Sequence, residues 1–415
     1  MFVFEYLTRV LPMNRSSAAL PAPPGERWLA VAFITAFAVG TDLFVIAPLL
    51  PAMARHFGLE PARLSFVVSL FSLAYALASP LFGRWSRGIG LARLMRFGLL
   101  VLGAANLFTA YAPSVLVLAC SRVLAGLGAA SVTPTLYALT ARRAAVARRG
   151  RSLAVVSAGL VLALAGGAPL GLLLGGLWNW HWVFVGLAIV LFVIAVLQGA
   201  HGETTLAPVL EADRALEPSR AAAAPQRERL RAATPLLAAM MLWAFAVYGS
   251  YTLLSTALLT ALDWPLARVA AMLVCFGAGA TLGSLGGGRL ADRNGAARIA
   301  RRHLLLAALG FVLVAIVLRW PSAWVMGALL FLLALVVYGV FPSLQSLAAQ
   351  QFDALRATVF GLLSSALYGG ITLGAAVAAP LYRSGGMAFV LASSAVAALA
   401  AAAIADRLVR ADAAR

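Results

Sequence analysis

Long apolar blocks alternate along the chain with short segments that carry arginine, and each block is close to the ~20 residues a helix needs to cross a ~30 Å hydrocarbon core. Read between the arginine clusters, the pattern predicts twelve spans: 28–50, 64–82, 95–112, 115–140, 152–177, 182–199, 235–261, 267–287, 303–319, 322–345, 357–379 and 385–406. The narrowest separations, 3 from 4, 5 from 6 and 9 from 10, are marked by Pro113, Asn179 and Pro321. The expected fold class is therefore an all-α polytopic membrane protein.

Residues 200–234 break this rhythm. Acids and bases cluster there (Glu203, Glu211, Asp213, Arg214, Glu217, Arg220, Arg227, Glu228, Arg229, Arg231) among Ala- and Pro-containing stretches. Such a segment at the midpoint reads as a linker between two six-helix halves, 28–199 and 235–406, with a leader at 1–27 and a tail at 407–415. The leader's apolar stretch, Met1 to Leu11, contains Glu5 and Arg9 and is too short for a span, so no signal peptide is expected; Met13 offers a second start. An internal repeat supports the division. Gly83-Arg84-Trp85-Ser86-Arg87-Gly88-Ile89-Gly90-Leu91-Ala92-Arg93 follows span 2, and Gly288-Arg289-Leu290-Ala291-Asp292-Arg293-Asn294-Gly295-Ala296-Ala297-Arg298 follows span 8. Duplicated halves about a central site are a common plan among secondary transporters.

Composition agrees with lipid as the main solvent. Of 415 residues 63% are hydrophobic and 11% charged, with mean hydropathy +0.94. The formal net charge of +18 comes from 32 basic residues, all arginine. They form no stripe, so nucleic-acid binding is not expected, and the lack of lysine excludes a P-loop or a Schiff-base chromophore. With the N-terminus taken as internal, 26 arginines fall in internal segments and five in external ones (Arg55, Arg63, Arg268, Arg319, Arg383). The asymmetry predicts both termini in the cytoplasm of a bacterial inner membrane and an even number of spans.

Cys120 and Cys275 stand alone in apolar blocks and read as small buried side chains. His56, His181, His201 and His303 form no ligand pair, so neither a metal nor another cofactor is expected, and no His/Asp/Glu or Ser/His constellation points to an enzyme.

Several motifs together resemble the major facilitator superfamily across all twelve spans, and within it the twelve-helix drug:proton antiporters that include arabinose-efflux-type permeases. The two repeated segments are similar to the family's G-x-L-A-D-R-x-G-R-K signature. By that resemblance Gly83, Arg84 and Gly90 in one half and Gly288, Asp292, Arg293 and Gly295 in the other form a conformational latch, although Arg87 stands where the first half would carry its acid. Asp42 with Pro48-Leu49-Leu50-Pro51 is similar to the helix 1 pattern. Arg122-Val123-Leu124-Ala125-Gly126-Leu127-Gly128-Ala129-Ala130 is close to R-x-x-x-G-x-G-A-A of helix 4. Gly167, Pro169 and Gly171 resemble a degenerate helix 5 antiporter motif, which generic close packing would also explain. Trp180-His181-Trp182-Val183-Phe184 resembles W-R-W-x-F with His for Arg, although beside two tryptophans His181 reads rather as an interfacial anchor. Tyr368 stands where the subgroup has Asn in helix 11. The resemblance implies a central cavity, a small-molecule substrate, protons as co-substrate and a monomer.

Asp42 is the only carboxylate of the spans that is not at an end. It lies 14 residues past Trp28, ~21 Å from the inner boundary, and Arg122 lies 7 past Val115, ~10 Å from the outer one. In a ~30 Å core the depths match. Burial disfavours a charged carboxylate while a nearby arginine favours it, so changing their separation or hydration moves the proton affinity. The sequence thus nominates Asp42 as the proton site with Arg122 as its tuner, and Tyr75, Tyr248, Tyr251 and Tyr338 as cavity aromatics. Because Asp42→Asn removes a charge from a costly place, little change in stability is expected. A proton-coupled exporter is the leading reading; a uniporter or a sugar or nucleoside efflux carrier of the same fold, and a non-transporting sensor, are the alternatives.

Overall fold

The computed structural model describes residues 27–144, 148–200, 232–352 and 356–413, except for the side chains of 27, 83–89, 199–200, 356–357 and 410–413. The predicted leader and most of the linker, and with them His201, lie outside the described residues.

Among the described residues ten helical stretches are long and apolar enough to cross a bilayer. Two of them, 149–198 and 358–409, are 50 and 52 residues long. At ~1.5 Å per residue each is more than twice the ~30 Å needed for one crossing. Both fold back on themselves. Leu160 and Ala163 of span 5 press on Gly40, and Trp180 reaches His56 at the far end of span 1 with ring centroids 5.6 Å apart. Val193, Ile194 and Leu197 of span 6 then share an apolar recess with Val31 and Ile34, near the start of span 1. The reversal passes through a π-helical turn at Gly175–Asn179. Spans 11 and 12 lie in the continuous helical stretch Arg356–Ala413 and reverse at Gly385 and Gly386, whose backbone is not helical (Gly386 φ 66°). Arg383 approaches Glu60 at one end of the molecule, whereas Asp406 pairs with Arg301 at the other, 3.1 Å away. The described helices are therefore consistent with twelve passes.

The repeated segments form a turn of one residue rather than a loop. The helix Phe66–Ile89 continues through Gly83 and Arg84, stops at Gly90, and Leu91–Ala110 begins at once. The helix Leu266–Asn294 likewise carries Gly288, Asp292 and Arg293, stops at Gly295, and is followed by Ala296–Val317. Gly90 and Gly295 both have φ of 89°, a region open to glycine and strained for other residues. Two equal turns at equivalent places express the internal repeat as geometry. A second correspondence is in packing. Span 5 runs beside span 1 in the same direction, and span 11 runs beside span 7, with Gly370 against Met241 and Ala244 and Gly374 against Phe245 and Gly249.

Outward faces are apolar, as lipid requires. At the arginine-poor end Trp178, Trp182, Trp320 and Trp324 are exposed, an arrangement typical of a membrane boundary. Cys120 corrects an expectation. It is exposed, next to no burying partner but on an outward face, and Cys275 is half-buried. In lipid a small apolar side chain has no reason to face inward. The last helix continues through Ala413, into the predicted tail.

Candidate functional site

Span 1 is the helix Arg27–His56, apolar throughout its middle except for Thr35, Thr41 and Asp42. Both threonines return their hydroxyls to carbonyls one turn back, Thr35 to Val31 and Thr41 to Phe37. Asp42 has no such local outlet. It receives two hydrogen bonds from Arg122, Nη1 to Oδ1 at 3.2 Å and Nη2 to Oδ2 at 3.3 Å. This fork-on-fork geometry joins span 1 to span 4, the helix Val115–Arg143, and both side chains are 0% exposed. The depth matching read from the sequence thus corresponds to a contact. The guanidinium also lies over the ring of Phe71 in span 2, 5.0 Å from its centroid, while its Nε finds no acceptor among the described residues.

Small residues bring the backbones of spans 1 and 5 together beside this pair. Gly167 faces Thr41, Gly171 faces Val45 and Gly175 faces Leu49, at matched four-residue steps on both helices. Any side chain at Gly167 or Gly171 would occupy the space of its neighbour. Pro169 is buried within the same segment, Ala168–Leu174, which follows a π-helical turn at Ala163–Gly167. On its other side this turn meets the second half, where Gly277 of span 8 lies against the backbone of Leu164 and Ala165.

Three of the four nominated tyrosines gather in one aromatic cluster of the second half. Tyr251 donates its hydroxyl to the Phe44 carbonyl, 3.3 Å away, and stacks on Phe276. Tyr248 lies parallel to the Phe44 ring, 6.2 Å between centroids, and pairs with Tyr338. Trp243 packs edge-on to both Tyr248 and Tyr338 and anchors itself by donating Nε1 to the Val337 carbonyl. Tyr75 is not in this cluster. It stacks on Tyr368 across the boundary between halves, centroids 3.5 Å apart, and its hydroxyl faces Thr133.

Phe44, Trp243, Phe276 and Tyr368 were not nominated by sequence. An aromatic residue in an apolar block looks like packing; only the substitution of Tyr368 for the subgroup's Asn was a signal. Of the latch residues, the side chain of Arg84 lies outside the described residues, and Gly288, Asp292, Arg293 and Gly295 share one helix end. Asp292 and Arg293 are exposed, and Asp292 forms no ion pair with the described residues. His181 sits near His56 and Asn179 at the arginine-poor end, among the boundary tryptophans.

All contacts above that join the halves lie from mid-depth to the arginine-poor end. Ser69 donates to the Thr372 carbonyl at 3.2 Å and Ser365 to the Ala76 carbonyl at 3.4 Å, and Glu60 bridges toward Arg383.

A family model described as Major Facilitator Superfamily matches residues 32–375. The uncharacterized MFS-type transporter YceJ of Bacillus subtilis (strain 168) is 27% identical over 357 residues, 85% of this chain and 88% of that one. A chloramphenicol resistance protein of Streptomyces lividans is 30% identical over 306 residues, covering 71% and 76% of the two chains. A shorter likeness, 32% over 144 residues, links 35% of this chain to 27% of a multidrug resistance protein B homolog of Mycobacterium tuberculosis (strain ATCC 25618 / H37Rv). Among solved structures, the peptide transporter POT in complex with alafosfalin superposes with TM-score 0.72 at 17% identity, covering 98% of each chain. A bacterial homolog to the human lysosomal transporter Spinster gives 0.70 at 16% identity, covering 94% and 98%. These two likenesses speak for the fold alone. With its family match over residues 32–375, the chain belongs to the Major Facilitator Superfamily.

Proposed function

We propose that the protein is a proton-coupled exporter of a small molecule, working by alternating access as a monomer in a bacterial inner membrane with both termini in the cytoplasm. The observation that carries this reading is the fully buried, two-bonded Asp42–Arg122 pair. An ion pair in a membrane interior is costly to keep, and its usual occupation is a pathway. The resistance named in two of the relatives supports export as the direction.

In the proposed cycle, protonation of Asp42 removes the charge that holds Arg122, and the two hydrogen bonds between spans 1 and 4 weaken. Span 1 is packed against span 5 at Gly167 and Gly171 and touches the second half through Phe44, so a small rotation there is felt at the boundary between halves. The closed end opens as Ser69–Thr372 and Glu60–Arg383 separate. Release of the proton on the other side restores the pair.

The reading is tested by counterflow and net transport in proteoliposomes with and without an imposed pH gradient. An antiporter concentrates its substrate only when the gradient is present. Equal rates and no concentration in both conditions would establish a uniporter instead.

A further inference from the structure

A guanidinium buried at mid-depth needs favourable contact on more than one side, and Arg122 is fully buried. Asp42 supplies one side only. Its two hydrogen bonds, 3.2 and 3.3 Å, are long for a charge-assisted pair, for which ~2.7–2.9 Å is usual. On another side lies the buried Phe71 of span 2, its ring centroid 5.0 Å from the guanidinium carbon, within the ~6 Å over which a ring face attracts a cation. No other charged side chain among the described residues forms an ion pair with either partner. Span 5 presents Gly167 toward Thr41, next to Asp42, and the second half approaches span 1 with the phenols of Tyr248 and Tyr251 around Phe44. Arg122 is thus held between a carboxylate and a ring.

The two holders respond differently to a proton. Protonation of Asp42 weakens one attraction and leaves the other, because arginine keeps its charge and the ring does not titrate. The guanidinium then gains by closing on Phe71, and that gain belongs to the protonated state alone. A ring in this place therefore works against the arginine, whose charge by itself keeps the carboxylate ionised. Phe71 also stands in the stretch of span 2 that touches the other half. Ser69 donates to the Thr372 carbonyl, and Tyr75, one turn beyond Phe71 on the same helix face, stacks on Tyr368. Movement of the guanidinium toward the ring is thus applied to span 2 at the boundary between halves.

From this geometry we infer that Phe71 is a positioning residue for the coupling step, which rests on the proton-coupled reading above. Its ring is the second seat of the Arg122 guanidinium, taken when Asp42 binds its proton, and it sets the pH at which that proton is bound.

The test follows the carboxylic-acid stretching band of Asp42 by infrared difference spectroscopy on the full-length protein in nanodiscs, titrated with pH and assigned by its loss in Asp42→Asn. Phe71 is replaced by mono-, di- and trifluorophenylalanine, which keep the shape of the ring and withdraw negative charge from its face, and in a further variant by leucine (Phe71→Leu). The midpoint should fall with each added fluorine and be lowest in Phe71→Leu, about one pH unit below the unaltered protein, a tenfold loss of proton affinity. The fluorinated series carries the result should Phe71→Leu fold poorly. Packing alone would leave that series at the midpoint of the unaltered protein, and this result, or a midpoint that rises, overturns the inference. A ring-dependent midpoint in a protein that exports nothing under a pH gradient would refute the export reading alone. No Asp42 band at any pH where the protein stays folded would refute both.

Discussion

Asp42→Asn should lower the stability of the protein, contrary to what the sequence alone suggests. The carboxylate is bound at both oxygens by Arg122, and neither group reaches solvent. Removing one partner leaves a buried guanidinium with its Nη donors facing a neutral amide, while Nε already lacks an acceptor. Breaking a buried pair from one side costs about 3–5 kcal/mol, whereas replacing both partners by apolar groups of similar size is close to neutral. We therefore expect Asp42→Asn and Arg122→Leu each to lower the thermal unfolding midpoint by several degrees in detergent. Asp42→Leu with Arg122→Leu should recover most of the loss. The double-mutant cycle built from Asp42→Leu, Arg122→Leu and their combination should show a coupling of several kcal/mol, far above the few tenths seen for independent sites. Single variants as stable as the unaltered protein, or a double variant whose loss equals the sum of the singles, would refute the reasoning.

Gly171→Leu should sharply reduce folded protein, because a side chain there overlaps Val45, whereas Gly186→Leu, with nothing nearby, should be tolerated; size-exclusion yield reads both. Cysteines placed at Ser69 and Thr372, in a Cys120→Ser and Cys275→Ser background, should cross-link with a short bifunctional reagent and arrest transport until the linker is cleaved, since they pin the closed end. Cysteines next to Arg55 or Arg383 should react with an impermeant reagent from outside, and cysteines in 200–233 should not. Outside labelling of that segment would invert the orientation.

Much of the architecture was legible because lipid forces a simple rule on sequence: every pass is a block of apolar helix. The blocks also anticipated the Asp42–Arg122 contact, since constant rise per residue put the two at one depth. Less was legible where helix does not need lipid. The arginine-bearing segments after spans 2 and 8 mark where the apolar blocks end, yet arginine is a good helix former, and the helices run on to Gly90 and Gly295. The reversal between spans 5 and 6 showed as a lone Asn179, because π-helical Gly175–Asn179 keeps the chain apolar and helical through the turn. Burial was misread at Cys120 because apolar character says nothing about inward or outward facing in a membrane. The pairing of Tyr75 with Tyr368, and of Phe44 with Tyr248 and Tyr251, joins residues some 200 or more positions apart that differ little in type from their neighbours. Only the assembled halves reveal them.

The central claim is that a proton on Asp42 drives export. Its most direct test compares the unaltered protein with Asp42→Asn in proteoliposomes, following substrate and internal pH together after a pH jump. Reconstituted amounts must be matched, given the expected loss of stability. The unaltered protein should concentrate substrate and move protons in the opposite direction with a fixed ratio. Asp42→Asn should exchange substrate without moving protons and without concentrating it. Continued pH-driven accumulation by Asp42→Asn would contradict the account, because the proton would then travel through some other group.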